Sequence, residues 1–244
     1  MNWVQRQFYA LYEPDMPNSV TLDAVAYRKV QTFKYDFFAA TGLYEGQGRQ
    51  VVVKIYRVRR FFGLPMGWTG RLQVGHETRL YRLLAGIEGI PEYLGRVGKT
   101  GFVHAFVPGG PLRRKATVAD DFFAGLANTL QAVHERGVAY VDLNKPENIL
   151  LGEDGRGHLI DFQISYAPRL RFFLTRFVLR QLQREDWYHL LKHKRRLRPD
   201  QLTDEERQRG ERRSTAINLH RILSRPYFLI RRPVMRLLGL KRAE

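Results

Sequence analysis

Apolar residues along this chain change their period several times, and each change predicts an element. Over residues 28–56 they fall in short runs rich in β-branched and aromatic side chains: RKVQTF, then FFAATGLYEG, then VVVKIY. The GQG string at 46–48 separates the last two, and a glycine-bearing break between such runs predicts a β-hairpin. Residues 57–75 hold four glycines and a proline among Phe61, Phe62, Leu64, Met66 and Trp68, and read as a loop. From His76 to Leu84 the spacing of Leu80, Leu83 and Leu84 predicts a helix. A break at GIEGIPEYLGRVG leads to a strand within GFVHAFVPGG. Phe122, Phe123, Leu126, Leu130 and Val133 then recur at steps of one, three and four, which predicts an amphipathic helix over 118–136. Short β-like pieces follow in VAYVDL, ENILLG and HLIDFQI, and from about residue 170 the pattern is helical. The order predicts an α+β chain of two lobes, the first built on an antiparallel sheet with one helix, the second compact and mostly helical.

Composition narrows the function classes. With 244 residues, 44% hydrophobic and 12% aromatic, the chain is not a largely disordered one. It has no cysteine, which excludes a disulfide framework, a thiolate metal site and a cysteine nucleophile. Its seven histidines show no HExxH-like spacing, so no zinc site is expected. No run of 18 apolar residues occurs, and MNWVQRQFYALYEPDMPN lacks the features of a signal peptide. The expectation is a cytoplasmic chain, at most peripheral on the inner face of a membrane.

Charge is distributed unevenly. Residues 1–164 carry 20 basic and 16 acidic side chains, whereas residues 165–244 carry 21 and 8, so most of the net +17 lies in the last third. Such an excess suggests nucleic acid, an anionic membrane surface or a phosphorylated substrate, with a solvated helical face as the plain alternative. The arginines of 169–184 and 219–242 alternate with Phe and Leu, and no nucleic-acid-binding motif is present. An anionic membrane surface, met through 57–71 and 165–244, is therefore the expected partner of the basic regions, and no specific nucleic acid is expected. Packing of those apolar residues back on the domain is the competing reading.

Three short segments carry candidate chemistry. VVVKIYR puts Lys54 inside an apolar strand, and Glu77, on the helix opening at 76, could pair with it. VAYVDLNKPENILL puts Asp142 after a buried run, then a polar turn with Pro146, then Asn148 before another apolar run. HLIDFQIS ends an apolar strand on Asp161. Transfer of a γ-phosphoryl group needs these types: a lysine for the α/β-phosphates, a glutamate to orient it and a carboxylate to accept the hydroxyl proton. A second carboxylate and an amide oxygen then serve Mg²⁺, a hard ion that prefers oxygen.

In this order the segments resemble the protein-kinase-like superfamily, over most of 28–190. VVVKIY resembles its nucleotide-lysine strand, HETRLYRLL the helix of the paired glutamate, VDLNKPENIL the catalytic loop and IDFQ the metal-binding triplet. The resemblance implies a two-lobed fold, with an N-lobe over 1–107, a C-lobe over 108–200 and a basic helical extension over 201–244. It implies ATP and Mg²⁺ as cofactors, Asp142 as catalytic base, and Asn148 with Asp161 as metal ligands, Asn144 being the alternative to Asn148. Lys54 and Glu77 become nucleotide-site residues. FVHAFVPGGPL resembles the hinge whose backbone from Ala105 to Val107 meets adenine, and Asp186, in EDWYHLLKHKRR, resembles the residue that braces the catalytic loop.

Departures from the pattern shape the functional expectation. TFKYDFFAATG lacks the glycine-rich phosphate loop, so Lys34 is the candidate source of charge there. Tyr140-Val141 replaces His-Arg before the catalytic aspartate, which argues against control by a phosphorylated activation loop. The loop from Asp142 to Asn148 is one residue longer than usual, Gln163 stands where glycine is usual, and no Ala-Pro-Glu element follows. The shorter branches fit best: compact bacterial Ser/Thr kinases, bacterial kinases of lipopolysaccharide core sugars (Kdo and heptose), and RIO-type atypical kinases. The expected function is ATP-dependent phosphotransfer to an alcohol, in a protein or a glycolipid; the alternative is a pseudokinase acting as a membrane-associated binding module.

Overall fold

The computed structural model describes residues 3–170 and 172–211. They form two compact units, residues 3–75 with 94–105, and residues 76–93 with 106–211.

The first unit is built on a six-stranded antiparallel sheet. Its strands are β1 (Ser19–Leu22), β2 (Val25–Tyr35), β3 (Ala39–Gly46), β4 (Arg49–Tyr56), β5 (Tyr93–Val97) and β6 (Gly101–Ala105), in the order β1-β2-β3-β4-β6-β5. The predicted hairpin joins β3 to β4 through Gln47 and Gly48, whose φ values of 51° and 72° are those of the two-residue turn that matches strand twist. β4 lies between β3 and β6, so Val51, Val52, Val53, Lys54 and Tyr56 are all buried, which is why VVVKIY reads as a run and not as an alternation. The core gathers Ala10, Leu11, Met16, Tyr27, Tyr44, Val51, Val53 and Val103.

Arg57, just past β4, is 1% exposed and donates to the carbonyls of Gln7 (2.8 Å), Phe37 (3.0 Å), Tyr9 (3.2 Å) and Arg60 (3.2 Å). Its guanidinium lies 4.0 Å from the ring centre of Phe37, and burial lowers its pKa to about 10. Arg59 donates to the carbonyls of Leu11, at 2.6 Å, and Tyr12. Two of the arginines expected to face lipid headgroups from 57–71 are therefore engaged in tying down the N-terminal segment. Phe61 packs edge-on against Phe8 and Phe37, whereas Phe62, Leu64 and Trp68 are exposed.

The loop expected over 57–75 ends early, because a helix runs from Gly67 to Leu83, preceded in chain order only by the single turn α1 (Trp3–Arg6) and labelled α2. Its glycines hid it from a propensity reading. Gly70 has a reason to be glycine: a Cβ there would come 2.3 Å from the carbonyl oxygen of Arg57. Nothing lies within 4 Å of the corresponding point on Gly67 or Gly75.

The second unit holds α3 (Phe122–Glu135), a three-stranded sheet of β7 (Gly109–Pro111), β8 (Ile149–Gly152) and β9 (Gly157–Leu159), α4 (Phe173–Leu197) and α5 (Asp204–Glu211). The predicted helix over 118–136 is α3, four residues shorter at its start, with Phe122, Phe123, Leu126, Leu130 and Val133 buried as one face. VAYVDL forms no strand; Ala139 makes a single bridge to Tyr166. The helical pattern after 170 appears as α4, which is basic, and as α5, which is not: its eight residues carry Asp204, Glu205, Glu206 and Glu211 against Arg207 and Arg209. The rest of the expected basic extension, 212–244, lies outside the described residues.

Candidate active site

Asp186, on α4 and fully buried, organises the loop that leads to Asp142. Its Oδ2 accepts from the Tyr140 amide at 2.7 Å and from His134 Nε2 at 3.0 Å, and its Oδ1 accepts from the Val141 amide at 2.7 Å. These bonds hold Val141 at φ 71°, a conformation that a β-branched residue avoids. Asp161 has φ 62°, and these two are the only non-glycine residues at positive φ among the described residues of the second unit. Strained backbone of this kind persists only where the surroundings enforce it, and it concentrates at functional sites. Here it marks Asp161 itself and the residue before Asp142.

The chain turns after Asp142 and re-enters through a single 3₁₀ turn, Pro146–Asn148, in which proline fits the first position. That turn carries buried Asn148 back to Asp142: Nδ2 donates to Asp142 Oδ2 at 2.9 Å. Lys145 Nζ lies 2.7 Å from the same oxygen. Asn144, the alternative metal ligand, points elsewhere and accepts from Lys192 Nζ at 2.8 Å. Tyr140 is fully buried, and its hydroxyl donates to the carbonyl of Ile160, next to Asp161, while lying 3.3 Å from the carbonyl of Asn148. Burial and the charges of Asp161 and Asp142 push the phenol well above its ordinary range, so it stays a donor. The residue in place of the family's histidine thus joins the loop of Asn148 to the strand end that bears Asp161.

Glu77, on α2, is fully buried. The same helix grips the segment after Asp161: His76 Nε2 meets the Ser165 carbonyl at 2.9 Å, and both terminal nitrogens of Arg79 donate to the Ala167 carbonyl at 3.1 Å. Phe162 is buried with its ring edge-to-face with Tyr81 (5.0 Å) and Tyr140 (5.3 Å).

In the first unit, Lys54 is 7% exposed and lies 5.2 Å over the Tyr56 ring. Lys34 is exposed and sits 3.0 Å from Asp36. The β2–β3 turn is closed by that carboxylate, whose Oδ1 accepts from the amides of Phe38 (2.8 Å) and Ala39 (3.1 Å). In a glycine-rich loop such amides face a phosphate; here an internal anion already holds them. The hinge segment leaves β6 at Ala105, whose carbonyl meets His104 Nδ1 at 2.8 Å, and Val107 is half-buried before β7 begins.

The solved structures that the chain resembles settle the fold. Rio2 kinase from Chaetomium thermophilum superimposes with a TM-score of 0.53 and 17% identity, over 71% of this chain and 59% of that one. The fold is kinase-like. A second structure, the Rio2 kinase-ADP/Mg²⁺-phosphoaspartate complex from the same fungus, gives the same score over 75% of this chain and 61% of that one. In sequence, the chain is 34% identical over 127 residues to CBL-interacting serine/threonine-protein kinase 15 of Arabidopsis thaliana, covering 48% of this chain and 29% of the kinase. It is 38% identical over 76 residues to a probable cAMP-dependent protein kinase catalytic subunit of Encephalitozoon cuniculi, covering 28% and 23%. The chain spans less than a third of the length of these curated relatives, and no protein-family model matches it.

The residues present fit a kinase-like Mg²⁺ site. Among the described residues no three His, Asp or Glu side chains gather around a metal position. None are required, because Mg²⁺ takes one or two protein oxygens and completes its shell with phosphates and water. Asn148 turns its amide nitrogen to Asp142, which leaves its oxygen as the remaining acceptor, and the carboxylate chemistry of half-buried Asp161 suits the same ion.

Sequence reasoning missed Lys145, His76 and Arg79, and noted Tyr140 only as a departure from the kinase pattern. A lysine three residues after the carboxylate in the same polar turn was a usable signal for the first. For Arg79 there was none, since its partner is a main-chain carbonyl 88 residues away.

Proposed function

We propose that the chain is an ATP-dependent phosphotransferase that moves the γ-phosphoryl group to an alcohol. The observation that carries the reading is the loop of Asp142, Lys145 and Asn148, gathered on one carboxylate oxygen within a kinase-like fold. Asp142 orients the hydroxyl and receives its proton. Lys145 screens that carboxylate from the incoming phosphoryl oxygens, and Lys54 holds the α/β-phosphates. Asn148 and Asp161 would hold Mg²⁺, which supplies neutralisation of the phosphate charge when bound. Asp186 positions the loop and touches no reactant.

One feature of the chain bears on the class of acceptor. Only residues 162–172 separate Asp161 from α4, with Gln163 after Phe162 and no Ala-Pro-Glu element, so the segment that presents a peptide in larger kinases is reduced. A sugar hydroxyl of a lipopolysaccharide-core-type glycolipid, reached at an anionic membrane surface, fits that reduction better than a protein Ser/Thr.

Asp142→Ala should abolish transfer from labelled ATP to bacterial envelope glycolipids while Mg²⁺-dependent nucleotide binding stays within about twofold. Turnover surviving in the variant refutes the assigned base. The competing reading, a pseudokinase serving as a membrane-associated binding module, is favoured by one observation: Asp36 holds the amides of the β2–β3 turn. Wild-type protein that binds ATP equally with and without Mg²⁺, and transfers nothing, decides for it.

A further inference from the structure

Leu170, Phe172 and the first two turns of α4 present large apolar side chains to solvent. Phe173 is 84% exposed and Leu170 72%, and Phe172, Leu174, Phe177 and Val178 are exposed with them. A helix with one apolar face normally buries it, so a well-formed helix that leaves it bare has a partner to meet. The start of α4 is formed and not frayed: Thr175 Oγ1 meets the carbonyls of Leu170 (2.7 Å) and Phe172 (2.9 Å), and the Arg176 amide donates to Phe172.

Charge identifies the partner. Between Asp161 and Glu185 the sequence has five arginines and no acidic residue. Along α4, Phe173 and Phe177 form one row and Leu174 and Val178 the next, while exposed Arg176, Arg180 and Arg184 run beside the first row at steps of four. Aromatic side chains at the centre of a face with arginines along its border suit a surface that is apolar below and anionic above, since a guanidinium reaches to headgroups while its stem stays on the apolar side. A second copy of this face would bring like charges together. So would residues 212–244, with nine Lys and Arg against one Glu.

We propose that the face formed by Leu170, Phe173, Leu174, Phe177 and Val178, bordered by Arg176 and Arg180, docks on the headgroup layer of an anionic lipid bilayer. The inference rests on the membrane part of the proposed function and names the surface responsible. It does not depend on phosphotransfer. Among the described residues no helix is long and apolar enough to cross a membrane.

The test is co-sedimentation of the full chain with phosphatidylcholine vesicles, with and without phosphatidylglycerol, at low and high salt. Wild-type protein should bind only the anionic vesicles and lose binding at high salt. Leu170→Ser with Phe173→Ser, and separately Arg176→Glu with Arg180→Glu, should each weaken binding by about tenfold or more, with melting temperature and ATP binding unchanged. If wild-type protein binds and both variants bind equally well, the face is wrong although the membrane reading stands. If wild-type protein ignores anionic vesicles, both fall. A dimer that the Ser variant converts to monomer, or a preference for duplex DNA or RNA over vesicles, also overturns the proposal.

Discussion

Replacing Asp186 with alanine tests the central structural claim about the candidate site, that a buried carboxylate holds the segment before Asp142 in a strained form. The wild-type carboxylate accepts two amides at 2.7 Å and one imidazole nitrogen at 3.0 Å. Alanine leaves the buried amide of Tyr140 and the partly buried amide of Val141 without their acceptor, at a cost of about 1–3 kcal/mol each. Part of that is offset, because Val141 can then leave φ 71°, which releases roughly 1–3 kcal/mol of strain. The net expectation is destabilisation by about 3 kcal/mol, a fall of roughly 6–12 °C in melting temperature for a chain of this size.

The strain part has its own signature. Val141→Gly removes the strain, adds backbone entropy to the unfolded chain and loses a half-buried side chain, so it should lie within about 1 kcal/mol of wild type. In that background Asp186→Ala has no strain to release and should cost about 1–2 kcal/mol more than it does alone. Denaturation of the four proteins, followed by circular dichroism, measures the whole cycle. An Asp186→Ala variant within about 1 kcal/mol of wild type, or a Val141→Gly variant worse by more than about 3 kcal/mol, would refute the reasoning.

Four further outcomes follow from other contacts. Tyr140→Phe removes the donor that reaches the Ile160 carbonyl, and should cost about 1–2 kcal/mol and weaken the Mg²⁺ dependence of nucleotide binding, read by calorimetry. Gly70→Ala forces a Cβ against the Arg57 carbonyl and should destabilise by about 1–3 kcal/mol, whereas Gly67→Ala and Gly75→Ala, with open space, should gain up to about 1 kcal/mol in thermal melts. Burial, with Lys192 and His193 nearby, pushes the His189 imidazole down to about 4. Between that value and the ordinary one near 6.5 the unfolded chain binds more protons, so stability falls as pH drops through this window; His189→Gln should flatten the decline by about 1–3 kcal/mol in acid titration of the unfolding free energy. Asp36→Asn frees Lys34 and removes a negative charge from the β2–β3 turn, and should tighten ATP binding by about fivefold, roughly 1 kcal/mol, in direct titration.

Parts of the fold could be read from the sequence because they follow a local period. The β3–β4 hairpin is written in two β-branched runs and a Gln-Gly turn, and α3 in its apolar spacing. The start of α2 was not legible, because Gly70 answers to the Arg57 carbonyl, which only the folded chain brings near. Arg57 shows the same limit: from sequence it joins a basic, apolar loop, yet in the fold its charge is turned inward onto four carbonyls. At the site, Asp142 and Asn148 share one short loop, so their types and order could be read together. The hydrogen bonds of Asp186 span 45, 46 and 52 positions, and the bridge from the Tyr140 hydroxyl to Ile160 spans 20. Contacts of that range leave no periodic trace.

Those long-range contacts also bear on the absence, before Asp142, of the arginine that protein kinases usually carry there. That arginine orders the segment after the metal-binding triplet only once the segment is phosphorylated. In this chain the segment is short and already held along its length: Phe162 by Tyr81 and Tyr140, Ser165 by His76 and by its own hydroxyl on the Tyr140 carbonyl at 2.7 Å, Tyr166 by the bridge to Ala139, and Ala167 by Arg79. Apart from the ring contacts these ties end on main-chain atoms, so they depend on the path of the segment more than on its side chains. The hydroxyl-bearing residues in these ties are Ser165, Tyr81 and Tyr140, all buried, and Tyr166, which is half-buried and is held through its main chain. Under the proposed function, the path of this segment therefore needs no phosphate to hold it.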